Sequence, residues 1–457
     1  MSGLMHEARL LLRARTAGAA LVLLLVLSSL AVLAGSREVA RQRHLQQHLV
    51  QLQQQSLQAQ APRLTRSGDV GSAAYYTFHA TWDPPSSAAF LALGLRDASP
   101  HVLRVRALAL QAQLHEGETF NPELALAGRF DYAFVLVYLA PLLLIALLHD
   151  LVSAERHAGR LGLLLSLPGG TGRRLWLRRA GLRSALAVAC LALPVLAGGL
   201  YHGCGAATLA GVLLATAAYI AFWAGLSLVV ACRAAGSVAS ATRLVGAWVL
   251  LTLLLPTLAQ SVLARMVPVH QGVQLMLAQR QAVHGAWDEP REATLERFFR
   301  SHPQWRDTAP LPTGFHWKWY FAFQQLGDEQ VAAQFADYRA SLQARQRWTA
   351  WLGGLLPGVG LQAALHRQAH TDLLAQLAYQ DAIATFHQRL REHYYPYLFR
   401  DSRYGSADFA ALPRFQPPAR AEDAPVGSWL GLVLAALLAL AAGVRCAGQV
   451  RMWMRTG

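Results

Sequence analysis

Apolar residues in this chain gather into long uncharged runs, separated by polar segments of very unequal length. Such runs lie at 16–36, 131–149 (uncharged from 132 to 148), 244–264 and 426–444. At ~1.5 Å per residue, each is long enough to cross the ~30 Å hydrocarbon core of a bilayer. Residues 184–232 form a 49-residue stretch without charge, too long for one helix. His202-Gly203-Cys204-Gly205 supplies a turn in its middle, which splits it into spans at 184–201 and 206–232. The pattern predicts an all-α membrane protein, a six-helix bundle. Its remaining segments are 1–15, 37–130, 150–183, the turn 202–205, 233–243, 265–425 and 445–457.

Charge orients the bundle. With the N-terminus inside, the inner segments hold 15 of the 41 Lys+Arg and 3 of the 26 Asp+Glu. The much longer outer segments hold 26 basic and 23 acidic residues. The positive-inside rule therefore predicts both termini in the cytoplasm and a multi-pass protein of a bacterial inner membrane. A composition of 54% hydrophobic and 15% charged residues fits this frame. The excess positive charge is accounted for by topology and lipid, so it gives no case for nucleic acid as a partner. Ala31-Val32-Leu33-Ala34-Gly35 resembles a signal-cleavage site, but the apolar run is too long for a signal h-region, so the first span reads as retained. Of Cys190, Cys204, Cys232 and Cys446 only Cys204 falls outside, which excludes an internal disulfide framework there.

Two outer segments are large. In 37–130, residues 37–61 continue the first span as a Gln-rich helix, and 74–82 and 101–111 read as short strands, so this part is an α+β insertion. In 265–425, mainly helical, the aromatic run 315–323 is expected at the membrane interface. Amphipathic helices are expected at 327–347 and 361–393. Between them, 348–360 is apolar but too short to span, and reads equally as a re-entrant segment or as the end of a core helix.

The inner segment 150–183 carries the most information. Glu155, Arg156, Gly159, Leu161, Leu164 and Leu165 fall at helical spacing, Pro168-Gly169-Gly170 stops the helix, and five arginines follow between 173 and 183. An amphipathic helix held between two spans by a basic hinge is a docking surface. Lipid at the inner leaflet is the plainer occupant for such leucines and arginines.

Several chemistries are missing. The one lysine, Lys318, lies between Trp317 and Trp319, so no phosphate-binding GxxxxGK[ST] loop can form. There is no HExxH, CxxC or GxSxG motif. The chain is therefore expected to be no enzyme and to bind no cofactor itself. His366 and His370, four apart with Asp372 nearby, are the only weak metal candidates, and they lack a third fixed ligand. Pro141, Pro194 and Pro256 interrupt spans, as tolerated kinks or as breaks lining a cavity. No span carries a central charge, which argues against an ion-coupled carrier.

The order of parts resembles ABC-2-type (type II exporter) permeases, in particular the subfamily with two large periplasmic loops related to multicopper-enzyme-maturation permeases. The similarity runs over Glu7-Ala8-Arg9, Ala74-Tyr75-Tyr76-Thr77-Phe78, Asp83-Pro84-Pro85 and Asn121-Pro122. It continues through Gly128 to Phe134, Tyr138 to Leu143, Ser153 to Leu161 with Pro168, Leu356-Pro357 to Gln362, and Thr371-Asp372. At Arg160 the chain departs from the family's pattern, where many relatives carry Thr. The resemblance implies a cytoplasmic connecting helix before span one and a coupling helix between spans two and three. It also implies two copies of a cytosolic ABC ATPase, which would use ATP and Mg. The resemblance further implies a second permease, a like or sister chain. Together these give the expectation of an exporter's permease subunit, powered in trans, among membrane lipids and with room outside for a periplasmic protein. The alternative is a non-transporting scaffold whose outer segments bind a partner.

Overall fold

The structure is a computed structural model. It describes residues 14–115, 130–166, 172–269, 272–419 and 427–453, together with Glu7, Arg9 and Leu11. Pro168, Asn121, Pro122 and Gly128, and most of the connecting segment 1–15, lie outside the described residues.

The chain is predominantly helical, and six helices are long and apolar enough to cross a membrane: Arg15–Arg66, Tyr132–His157, Arg173–His202, Ala206–Arg233, Ser237–Met266 and Trp429–Val450. They coincide with the six apolar runs and are called the first to sixth spans. The split at 202–205 is observed: Gly203 takes φ +68°, a left-handed conformation that glycine adopts without strain, and the chain reverses. The second and fourth spans are the most enclosed, 61% and 56% buried over their apolar windows, whereas the fifth is 17% buried. The fourth and sixth meet backbone to backbone. A Cβ at Gly225 would stand 2.4 Å from the carbonyl carbon of Ala439, so only glycine permits this approach.

Each proline inside a span removes the N–H that the carbonyl four residues earlier would accept in a regular helix. Two of those carbonyls are taken over by a neighbouring span. Pro194 strands the Cys190 carbonyl, which accepts the Ser28 hydroxyl of the first span at 2.9 Å. Pro141 strands the Val137 carbonyl, which accepts the Tyr219 hydroxyl of the fourth span at 3.0 Å. Pro141 and Pro256 each follow a π-helical stretch by two residues, Val135–Leu139 and Val249–Leu254.

The first span does not stop with its apolar run. It continues to Arg66 as one 52-residue helix, ~80 Å long, into a lobe built by both large inter-span segments. Asp69 caps the next helix, Val70–Tyr76, accepting from the N–H groups of Gly71 and Ser72. This cap draws residues 74–76 out of the expected strand. What remains is a two-stranded antiparallel ribbon, β1 (His79–Trp82) and β2 (Val102–Val105). Such a ribbon is marginal alone and needs a helical partner.

That partner comes from the second segment, so the two expected insertions share one core. Leu64, Val70, Leu103 and Val105 pack with Phe298, Phe321, Tyr379, Ile383 and Tyr394. Thr81 Oγ1 meets Tyr379 Oη at 2.9 Å, and Asp328 accepts from Leu110 N at 2.8 Å and from Arg391 Nη2 at 2.9 Å. Much of the aromatic run 315–323 packs inside this lobe, while Phe315 at its start is exposed. Trp319, Phe321 and Phe323 are buried among aromatic side chains that include Trp287 and Tyr320. Lys318 is buried too, held by Ala309 O at 2.8 Å and Asp401 Oδ2 at 3.1 Å.

Candidate functional site

Beyond the apolar run of the second span, which ends at Leu148, the chain folds as two short helices, α1 (Ser153–His157, the last turn of that span) and α2 (Leu161–Ser166), and not as the single amphipathic helix expected. Gly159 is the cause. At φ +68° it terminates α1, its N–H returning to the Arg156 carbonyl at 3.0 Å, while Arg160 N bonds the Glu155 carbonyl. The helix axis therefore turns between Glu155 and the leucines. Leu161 and Leu165 point into the chain's own core, 2% and 5% exposed. Leu164 is half-buried, and Leu163, which the sequence pattern did not single out, is 68% exposed.

The charged residues of this loop brace it to its surroundings. Glu155 accepts from Arg160 Nε at 2.9 Å and from Arg179 Nη1 at 2.7 Å, and Arg179 Nε reaches Glu7 at 3.1 Å. Arg179 thereby joins the N-terminal segment, α1 and the third span. Its guanidinium also lies 5.7 Å from the Trp176 ring centroid. Arg156 donates to the carbonyls of Ala234 and Ala235, at 3.1 and 2.8 Å, where the fourth span ends. A cation there satisfies free carbonyls and the negative end of the helix dipole. Arg183 donates to the Leu147 carbonyl and approaches Asp150 at 3.7 Å. Around this network opens a cleft of about 330 Å³ lined by Glu7, Leu11, Glu155, Arg160, Leu164 and Arg179, among others. Glu155 and Arg156, expected to face a partner, are thus internal braces. The surface they support carries Leu163 and the exposed Arg173, Arg174 and Arg178.

A second cluster lies at the opposite end. Helix α3 (Trp317–Leu355) and α4 (Pro357–Gln368) form a hairpin bent at Leu356. Its tip is built of close glycine contacts. A Cβ on Gly353 would stand 2.8 Å from Gly360 Cα, and one on Gly431 in the sixth span 2.7 Å from Gly354 Cα. Gly358 abuts the Tyr219 hydroxyl and Val137, while Gln368 lies against Gly211. The hairpin tip therefore reaches Tyr219, which is ~15–20 Å along the fourth span from its start. On the free face of α3, Trp351 and Leu355 are 78% and 79% exposed.

The expected helix at 361–393 is interrupted. His370 is left-handed (φ 51°) after α4 ends at Gln368, and α5 (Leu373–Phe399) starts anew with Asp372 capping Ala375 N. His366 and His370 therefore do not share one helix face. Among the described residues no group of three or more His, Cys, Asp or Glu side chains stands close enough to hold a metal ion.

Compared with known protein families, residues 273–418 match a domain of unknown function, DUF3526. This region takes in most of the second segment of the lobe, with α3, α4 and α5. No curated protein and no solved structure matches the chain.

Proposed function

We propose that this chain is the membrane-spanning subunit of an ATP-driven exporter of the ABC-2 type, energised in trans by a separate ATPase that docks on α1 and α2. The observation that carries the reading is the Glu155–Arg179–Glu7 brace. A loop pinned at once to the N-terminal segment, the third span and the end of the fourth span transmits an applied force to the bundle and does not absorb it. Leu163 and the exposed arginines are the contact surface, while Leu161 and Leu165 root the loop in the core. The arginine distribution supports placing this end in the cytoplasm of a bacterial inner-membrane protein and the lobe on the outer side.

In this frame the α3–α4 bend is a re-entrant element entering from the outer face. Its depth beside Tyr219 and the exposed Trp351 and Leu355 support contact with acyl chains. The ATPase supplies ATP and Mg chemistry, and a second permease completes the transport route. The exposed fifth span supports a helix-to-helix contact with that second copy. The competing reading, a non-transporting scaffold, draws on the jointly packed lobe, which is large enough to bind a periplasmic protein.

Purification of the full chain from its native membrane in mild detergent separates the two readings. The exporter reading predicts ATP hydrolysis in the purified complex and a stoichiometric nucleotide-binding subunit. A chain that purifies repeatedly without any ATPase activity, with its lobe intact, belongs to the scaffold reading.

A further inference from the structure

Three breaks in helical regularity converge on one side chain. The second span carries the π-stretch Val135–Leu139 before Pro141, the fifth carries Val249–Leu254 before Pro256, and α4 begins at Pro357-Gly358. Tyr219 of the fourth span stands where they meet. Its hydroxyl donates to Val137 O at 3.0 Å, Thr252 of the fifth span approaches it, and Gly358 packs on it. π-Stretches hold an extra residue in a turn and concentrate at functional positions, because a small local shift moves the register of the whole helix.

We infer that Tyr219 is the latch that keeps the α3–α4 bend closed against the second span, so that the position of the second span decides whether the bend admits water. This rests on reading the bend as re-entrant from the outer face. Its physical basis is the missing donor at Pro141. In a regular helix the Val137 carbonyl would receive the N–H of position 141, and proline has none. The carbonyl, held in the π-stretch, accepts the Tyr219 hydroxyl, and water takes the place of that hydroxyl if it leaves. A buried carbonyl that loses the hydroxyl and gains no water is disfavoured, so the hydroxyl departs only as water arrives. Release of the latch and hydration of the bend are one event. The second span runs directly into α1, and Arg183 grips its end through the Leu147 carbonyl, so a push on the braced loop is delivered to the latch.

The test uses the full chain with its four cysteines replaced and Gly358→Cys as reporter. A Cβ there makes ordinary contacts, 3.5 Å to the Tyr219 hydroxyl and 3.7 Å to Val137. The readout is its labelling rate by a membrane-impermeant maleimide applied from the outside. With Tyr219 present the reporter labels slowly, and Tyr219→Phe raises the rate at least tenfold. Pro141→Ala restores an N–H at position 141 that favours regular helical pairing in the second span and competes with the Tyr219 hydroxyl for the Val137 carbonyl. It raises the rate as well, and carries the test if Tyr219→Phe does not fold. Ser28→Ala removes the corresponding bond to the Cys190 carbonyl and leaves the rate unchanged. Equal rates for Tyr219 and Tyr219→Phe overturn the latch, as does an acceleration by Ser28→Ala of the same size, which would mark general loosening. If Gly358→Cys labels as fast as Gln330→Cys while Tyr219 is intact, the re-entrant reading itself fails.

Discussion

The Tyr219 hydroxyl lies 3.0 Å from the Val137 carbonyl, four residues before Pro141, so the fourth span supplies a hydrogen bond to the second span where the proline offers no N–H. This has an energetic signature. Tyr219→Phe should destabilise the protein by about 1 kcal/mol, the usual net value of such a bond, including in membranes. In a Pro141→Ala background, where an N–H is available, the same change should cost less than half of that. Unfolding in bicelles, run as a double-mutant cycle, measures the coupling, and strict additivity would contradict the assignment.

The brace at Glu155 makes a second prediction. Glu155 and Arg179 are both largely shielded from solvent, so removing one leaves the other's charge without its partner. Glu155→Ala should destabilise the full chain by about 2 kcal/mol or more. Replacing the exposed Arg173 should do nothing measurable to stability. Thermal unfolding in detergent checks both, and equal effects would remove Glu155 from its bracing role.

Acid should loosen the lobe. Burial, reinforced by the nearby His393, pushes the His79 imidazole down to about 3. Burial with Arg96 nearby takes His101 down to about 4, and burial with Arg391 nearby holds His387 well below the ordinary value. The unfolded lobe binds protons at these positions from about pH 6.5 downward, while the folded lobe refuses them, so stability falls with falling pH across that interval. For His79 alone the loss is about 2 kcal/mol at pH 5. His79 meets Phe386 edge to face, and His387 faces the Leu108 carbonyl, so the ribbon and α5 should separate together. Hydrogen exchange at pH 7.5 and pH 5 should show residues 79–82 and 379–390 losing protection in step. Replacing His79 with Phe should shrink the effect.

The spans were legible because each is a long uncharged run, and a run of that kind has little freedom to be anything else. The turn at Gly203 was legible for the same reason, since 49 uncharged residues must fold back. The joint lobe was not, because a ribbon of two four-residue strands announces no partner, and its partner α5 lies about 300 residues away. The packing of the aromatic run at 315–323 into the lobe was not legible, since Trp and Tyr suit a packed core and a headgroup layer equally well. At the candidate site, helical spacing selected Leu161, Leu164 and Leu165, but Gly159 turns the axis and sends two of them inward. A glycine three residues after a helical Arg is a C-cap signal that could have been weighed. Arg179 and Tyr219 had no local signal of their own. For Tyr219 the clue sat in another span, as the proline four residues beyond Val137.

Topology is checked directly by thiol labelling. Gln330 and Arg174 are both exposed, so access and not burial decides their reactivity. With the lobe outside, a cysteine at Gln330 reacts with an impermeant reagent in intact cells, and one at Arg174 reacts only after the membrane is opened. Reaction at Arg174 from outside would invert the assignment of every segment.

The docking surface gives the last prediction. Leu163 is 68% exposed on α2 and makes its side chain available to a partner, whereas Leu161 is enclosed by the chain itself. Burying one leucine in a partner's cleft is worth about 1.5–3 kcal/mol, so its loss weakens docking by roughly 10–150-fold. Leu163→Asp meets solvent and leaves the bundle folded, yet it should release the ATPase and uncouple hydrolysis from export. Leu161→Asp places a charge in the core and should lower the yield of folded protein before any question of docking arises. The contrast separates a partner from the membrane surface. If Leu163 and the arginines only rested on anionic lipid, Leu163→Asp would shift vesicle binding and leave the ATPase attached. A Leu163→Asp protein that retains its ATPase at wild-type yield and exports normally would remove α2 from the coupling path, leaving the scaffold reading as the better account of this loop.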